Sequence, residues 1–108
     1  MNILFVCSRN KWRSRTAEAI FKNNSTHQIK SAGTANSARI RLSQKLVNWA
    51  DTIYVMETKH KKILLDKFFI DSSNNKIEVL DIPDEYQYMD DDLIDILKVK
   101  LQELSLYR

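Results

Sequence analysis

The chain has 108 residues, 44% hydrophobic and 29% charged, and a formal net charge of +3. That length suits one domain, residues 1–108, with a single core, and the composition excludes a disordered or fibrous chain. No apolar run is long enough to span a membrane, and a single cysteine excludes an internal disulfide framework.

The opening Met-Asn-Ile-Leu has no charged region ahead of its apolar residues, so no signal peptide is expected. One free thiol fits a reducing compartment, and the expectation is a soluble cytoplasmic monomer. The basic residues fall in three separate places, Arg9 to Arg15, Arg39 to Lys45 and Lys59 to Lys62, while acidic ones gather between Asp81 and Asp95. That dispersion reads as a mixed, solvated surface, with neither nucleic acid nor membrane as partner.

In chain order, Ile3 to Val6 is a short apolar run of β-formers that stops at Cys7. After one basic turn, Ser14 opens a helical pattern with Ala17, Ile20 and Phe21 on one face. Asn23-Asn24-Ser25-Thr26 is turn material, and Gln28 to Ala32 reads as a second strand. Gly33, the only glycine, follows it, which points to a positive φ, a close backbone approach or a plain turn. Arg39 and Arg41 are either surface charges or part of a substrate entrance. Ser43 suits the N-cap of a short helix with Leu46, Val47 and Trp49 turned inward.

Thr52 to Met56 is the third strand. Glu57-Thr58-Lys59-His60 then starts a helix with Ile63, Leu64 and Phe68 on its apolar face. His60 reads as a structural or surface residue, with contact to the site as the alternative. Residues 71–75 form a loop of turn formers, and Lys76 to Leu80 is the fourth strand. The last helix is expected from about Asp90 to Tyr107, striped by Ile94, Leu97, Leu101 and Leu104, with Asp90, Asp91 and Asp92 at its positive end.

Alternating strands and helices imply right-handed crossovers and a three-layer α/β/α fold. The expected sheet is parallel, four-stranded and flavodoxin-like, in the order 2-1-3-4. Ligand is then expected beyond the carboxyl ends of strands 1 and 3, where Cys7 lies.

The loop after strand 1 carries the chemistry. A cysteine closing an apolar strand is commonly just a small buried hydrophobe. Here Arg13 and Ser14 follow it as Cys-x5-Arg-Ser at a strand-to-helix junction, which reverses that reading. Loop amides and first-turn helix donors make an anion site. Such a setting favours the thiolate, the nucleophilic form of cysteine. Arg13 supplies a planar fork for two oxygens of a tetrahedral anion, and the Ser14 hydroxyl can donate to sulfur. A carboxyl must protonate the leaving oxygen, and Asp81, Asp84 and Glu85 are the candidates. The two histidines and scattered acids show no metal-ligand pattern, and no metal or other cofactor is expected.

Cys7, Asn10, Arg13 and Ser14 in this arrangement resemble the signature of the low-molecular-weight protein tyrosine phosphatases (phosphatase I type). Ser31-Ala32-Gly33-Thr34 and the Met56-Glu57 exit from the third strand are similar to that family as well. The resemblance implies Cys7 as nucleophile and Arg13 as phosphate clamp. Ser8, Arg9, Asn10, Lys11, Trp12, Arg13 and Ser14 would form the phosphate-binding loop, with Asn10 partly left-handed. Ser31 and Thr34 are expected to hydrogen-bond Asn10 from behind. Asp84 is implied as the general acid, with Asp81 in reserve; Trp12 and Tyr86, or Tyr88, would wall the substrate.

Three departures stand out: Arg9 replaces the family's usual glycine, Trp12 replaces a frequent second cysteine, and Glu85 replaces the proline of the acid loop. The chain is also shorter than typical members, which implies a shallower pocket.

The implied activity is hydrolysis of a phosphomonoester, a phosphorylated protein or small aryl phosphate, through a cysteinyl-phosphate, releasing inorganic phosphate. Alternatives are a phosphate-binding regulatory protein without turnover, a single-cysteine arsenate reductase needing an external thiol, and a basic RNA-binding module, whose affinity would fall steeply with salt.

Overall fold

The computed structural model describes residues 1–23, 26–70 and 76–102. Residues 24–25, 71–75 and 103–108 lie outside the described residues, and with them the expected loop at 71–75 and the expected end of the last helix, Leu104 included. Four strands, β1 (Asn2–Cys7), β2 (Gln28–Gly33), β3 (Thr52–Val55) and β4 (Ile77–Val79), alternate with four helices, α1 (Arg13–Phe21), α2 (Gln44–Trp49), α3 (Thr58–Lys67) and α4 (Asp91–Lys100). The sheet is parallel throughout, in the order β2-β1-β3-β4, as the alternation implied.

β1 is central, and both of its faces are covered, which is why it reads as an unbroken apolar run. Ile3, Phe5 and Cys7 point into one apolar cluster with Ala17 and Phe21 of α1 and with Leu93, Leu97 and Leu101. Leu4 and Val6 point into the other, with Val47 of α2, Ile53 and Val55 of β3 and Leu64 of α3. This is the two-residue alternation of a pleated strand. Each fully buried Leu, Ile or Phe contributes about 1.5–3 kcal/mol relative to an exposed one. Phe5 stacks between Phe21 and Tyr54, with ring centroids 6.0 and 5.6 Å away. The register sets Cys7 opposite Gly33, and the carboxyl ends of β1 and β3 side by side.

Ser43 caps α2 by accepting from the Leu46 N–H, 3.2 Å. Val47 is buried beneath it, with Leu46 and Trp49 packed alongside. α4 is interrupted at Leu101 (φ −121°, ψ 43°), with Gln102 helical again, and its expected end near Tyr107 lies outside the described residues. Its buried row is Leu93, Leu97 and Leu101, spaced by four, with Ile94 turned to the half-buried flank. The i, i+3 and i, i+4 choices at this helix differ by one residue, and packing against β1 and α1 selects the row.

Candidate active site

From Cys7 the chain curls through Ser8–Trp12 into α1, and the loop is held from behind. The carbonyls of Cys7, Ser8 and Arg9 accept from the N–H groups of Thr34, Ala35 and Arg39, at 3.0, 2.8 and 3.0 Å. The carbonyl of Asn10 accepts from Arg39 Nε at 3.2 Å. With its carbonyls drawn outward, the loop leaves the N–H groups of Arg9, Asn10, Lys11 and Trp12 without hydrogen-bond partners among the described residues. Together with the free first-turn donors of α1, they form a concave cluster of amides. Asn10 takes the left-handed conformation expected of it, φ 56°.

Gly33 permits the close backing. A Cβ there would lie 2.6 Å from both Ser8 O and Ala38 Cβ, and 2.9 Å from the Arg9 carbonyl carbon. Of the alternatives open for this glycine the structure selects close approach, since its φ is not positive.

Cys7 is buried, and its Sγ lies 2.9 Å from Ser14 Oγ. Asn10 Nδ2 donates to the same Ser14 Oγ at 2.8 Å. That bond takes one of the oxygen's two lone pairs; Oγ lies 2.9 Å from Sγ and 3.5 Å from Ala32 O, and toward a Cys7 thiolate the Ser14 hydroxyl is the donor. A relay Asn10→Ser14→Cys7 therefore aims a donor at the sulfur.

Arg13 is only 2% exposed. Its Nη1 donates to Glu57 Oε2 at 2.7 Å and to the Ile82 carbonyl at 2.8 Å. Nε stands 3.8 Å from Asp84 Oδ1. The Nε/Nη2 edge makes no hydrogen bond among the described residues, and it is an edge that grips an oxyanion bidentately. Cys7, Ser8, Arg9, Lys11, Trp12, Arg13 and Asp84 line one cavity of about 460 Å³.

Two residues outside the expected site set, Glu57 and His60, hold this arrangement. Glu57 pairs with Arg13, and that hydrogen bond keeps its carboxyl below the usual range, burial opposing. His60 is fully buried, not a surface residue: its Nδ1 accepts from Glu57 N at 3.1 Å and its Nε2 contacts Ser8 Oγ at 2.9 Å. Burial foremost, and then the Arg13 charge, push its pKa down to about 4. The ring is thus neutral near pH 7, and with Nδ1 accepting, Nε2–H donates to Ser8. The signal for both was topological: the residues leaving β3 must adjoin those leaving β1.

Several expected contacts are arranged differently. Ser31 does not reach Asn10; its hydroxyl donates to Glu18 Oε1. Glu18 in turn pairs with Arg39 at 3.7 Å, so Ser31 reaches the Asn10 carbonyl only by way of Glu18 and Arg39. Thr34 acts through its backbone on Cys7 and borders a different depression, beside Arg41. Asn10 Nδ2 is taken by Ser14, while its Oδ1 is buried without a hydrogen-bond partner among the described residues. Tyr86 packs against the apolar cluster instead of walling the cavity, and Tyr88 lies under the Arg15 guanidinium at 4.4 Å. Asp81 borders a separate depression with Glu57 and Pro83, whereas Asp84 shares the cavity of Cys7. Among the described residues no three His, Cys, Asp or Glu side chains gather as a metal site. No helix among them is long and apolar enough to cross a membrane.

Residues 2–43 match the family model described as low molecular weight phosphotyrosine protein phosphatase. No curated protein sequence matches the chain. Among solved structures, it is 21% identical to a protein tyrosine phosphatase from Entamoeba histolytica, covering 98% of this chain and 94% of that one, TM-score 0.74. It is 21% identical to a low molecular weight phosphotyrosine phosphatase from Vibrio cholerae O395, covering 98% and 97%, TM-score 0.74. An arginine phosphatase from Geobacillus stearothermophilus shares 22% identity, 98% and 86% coverage and a TM-score of 0.67. The motif-bearing segment, residues 2–43, thus resembles that family, and the fold is the one these phosphatases share from end to end.

Proposed function

We propose that this chain is a cysteine-dependent phosphatase that hydrolyses phosphomonoesters, phosphotyrosyl or aryl phosphates first among them. The observation that carries the reading is the cavity floor: a lone sulfur with a hydroxyl aimed at it, ringed by unpartnered amides and the free edge of a buried arginine. That arrangement complements an oxyanion whose charge spreads over three equatorial oxygens, and its donors are fixed before substrate arrives.

Phosphate oxygens occupy the amides and the Nε/Nη2 edge of Arg13. Cys7 attacks phosphorus in line as the thiolate; the S–P bond forms as the P–O bond to the alcohol breaks. Asp84, at the cavity wall, delivers its proton to the departing oxygen. The resulting carboxylate then takes a proton from water, whose oxygen attacks phosphorus and breaks the S–P bond, releasing inorganic phosphate. Ser14 steadies the sulfur when it leaves. The protein works as one domain in the cytoplasm, where a single unpaired thiol stays reduced.

The test is hydrolysis of p-nitrophenyl phosphate by the wild-type chain and by Cys7→Ser. The expected result is turnover lost in the variant, with inorganic phosphate protecting the wild-type thiol from alkylation. Phosphate protection without turnover would instead identify a phosphate-binding protein, and activity retained by Cys7→Ser would refute the nucleophile.

A further inference from the structure

Resting on the phosphatase reading, we propose that the site selects phosphomonoesters carrying a second anionic group beside the scissile one, and that Arg9 and Lys11 read that group. The cavity wall holds three cations, Arg9, Lys11 and Arg13, against one carboxylate, Asp84. Their situations differ. Arg13 is buried, already paired with Glu57 at 2.7 Å, and committed by its free edge to the scissile phosphate. Arg9 and Lys11 are exposed, and neither makes an ion pair or a side-chain hydrogen bond among the described residues. The neighbouring cations are engaged elsewhere: Arg39 is bound to Asn10 O and Glu18, and Arg15 covers Tyr88.

A phosphoryl group seated on the amides and Arg13 therefore leaves two uncompensated positive charges on the wall that its leaving group must pass. Side chains of three or four methylenes on one loop place those charges at the rim, beside the exposed ring of Trp12. A carboxylate or second phosphate next to the ester meets them; a cationic leaving group, such as the guanidinium of phosphoarginine, is repelled. The chemistry is shared by an acidic phosphotyrosyl peptide and by a small aryl phosphate bearing a second anion.

The experiment compares kcat/KM for phosphotyrosyl peptides of equal length with glutamate, glutamine or lysine flanks, at low and at high salt. It is repeated on Arg9→Gln/Lys11→Gln, with p-nitrophenyl phosphate as reference. Wild type should favour glutamate over glutamine flanks by about 5- to 20-fold at low salt, with the preference shrinking as salt screens it. In the double variant the ratio should fall to within about 2-fold, whatever the change in absolute rate. A wild-type ratio near one, or a ratio that survives in the double variant, overturns the proposal while leaving the phosphatase reading intact. Absence of p-nitrophenyl phosphate turnover overturns both. A matched pair of aryl phosphates, with and without a second phosphate, separates the sources. A gain there equal to that of the peptide supports a small dianionic substrate, and a gain confined to the peptide supports a protein.

Discussion

Asp84 and Glu57 both reach toward Arg13, at 3.8 and 2.7 Å, yet they divide the work. Glu57 sits behind the guanidinium with its carboxyl held below the usual range, so it stays charged and fixes the fork. Asp84 is 57% exposed at the mouth of the cavity, where a proton can be taken from solvent and passed to a leaving group. Asp84→Asn should therefore slow hydrolysis of an alkyl or phenyl phosphate by about 100-fold or more. The loss on p-nitrophenyl phosphate, whose phenolate leaves unassisted, should be much smaller. Steady-state rates across a series of leaving groups check this, and an equal loss on all of them would shift the proton transfer to Asp81 or to water.

The element that most constrains the site is the segment after β2, because it draws the loop's carbonyls backward and so frees the amides. Its contact with the loop depends on a missing side chain. Gly33→Ala would set a Cβ 2.6 Å from a backbone oxygen, and backbone cannot yield as a flexible side chain can. The loop must shift, costing about 1–3 kcal/mol of stability and, since an ångström of misplacement matters, about 10-fold or more in kcat/KM. Thermal unfolding and aryl phosphate kinetics measure the two effects; a variant with unchanged rate would show that the loop does not depend on this packing.

The same segment shows what the sequence makes legible. Cys7, Arg13 and Ser14 declare themselves because their spacing is local, and the strand–helix alternation declares the sheet because each period is local too. Glu57 and His60 do not, because their roles exist only once β3 lies beside β1, 44 residues from Arg13 and 52 from Ser8. Ser31 was placed near the loop, but its partner was not legible: Glu18 on α1 competes for the hydroxyl, and only the packed structure shows which contact wins. In α4 the expected stripe held at Leu97 and Leu101 but began one residue late, at Ile94 instead of Leu93, since the sequence offers two apolar rows and packing against β1 and α1 chooses between them.

At the scale of the whole molecule, the sheet closes around a titratable group that folding keeps uncharged. His60 is buried against the loop with Arg13, Glu57, Lys59 and Asp84 about it, and its pKa falls from 6.5 to about 4. Between those values the unfolded chain binds a proton that the folded chain refuses. Stability is therefore full above pH 6.5 and is lost progressively as the pH falls toward 4. Below that window Glu57 adds a loss of the same sign, since its depressed carboxyl must be protonated and its bond to Arg13 given up. His27, also lowered, by burial first, shares the upper window, so the informative quantity is the difference between wild type and variant. His60→Gln removes the titration while keeping a donor that can reach Ser8. Its urea midpoint should fall less steeply than that of wild type between pH 6.5 and 4.5, and the two should run parallel below. Because protonation of His60 places a second cation beside Arg13 and withdraws Nδ1 from the Glu57 N–H, the same acid window should loosen the loop before the sheet unfolds. Amide exchange at Thr34 and Ala35, whose N–H groups donate to the Cys7 and Ser8 carbonyls, should accelerate in wild type at pH 5 relative to pH 7, after correction for intrinsic rates, and not in the variant; equal exchange in both would uncouple the histidine from the loop.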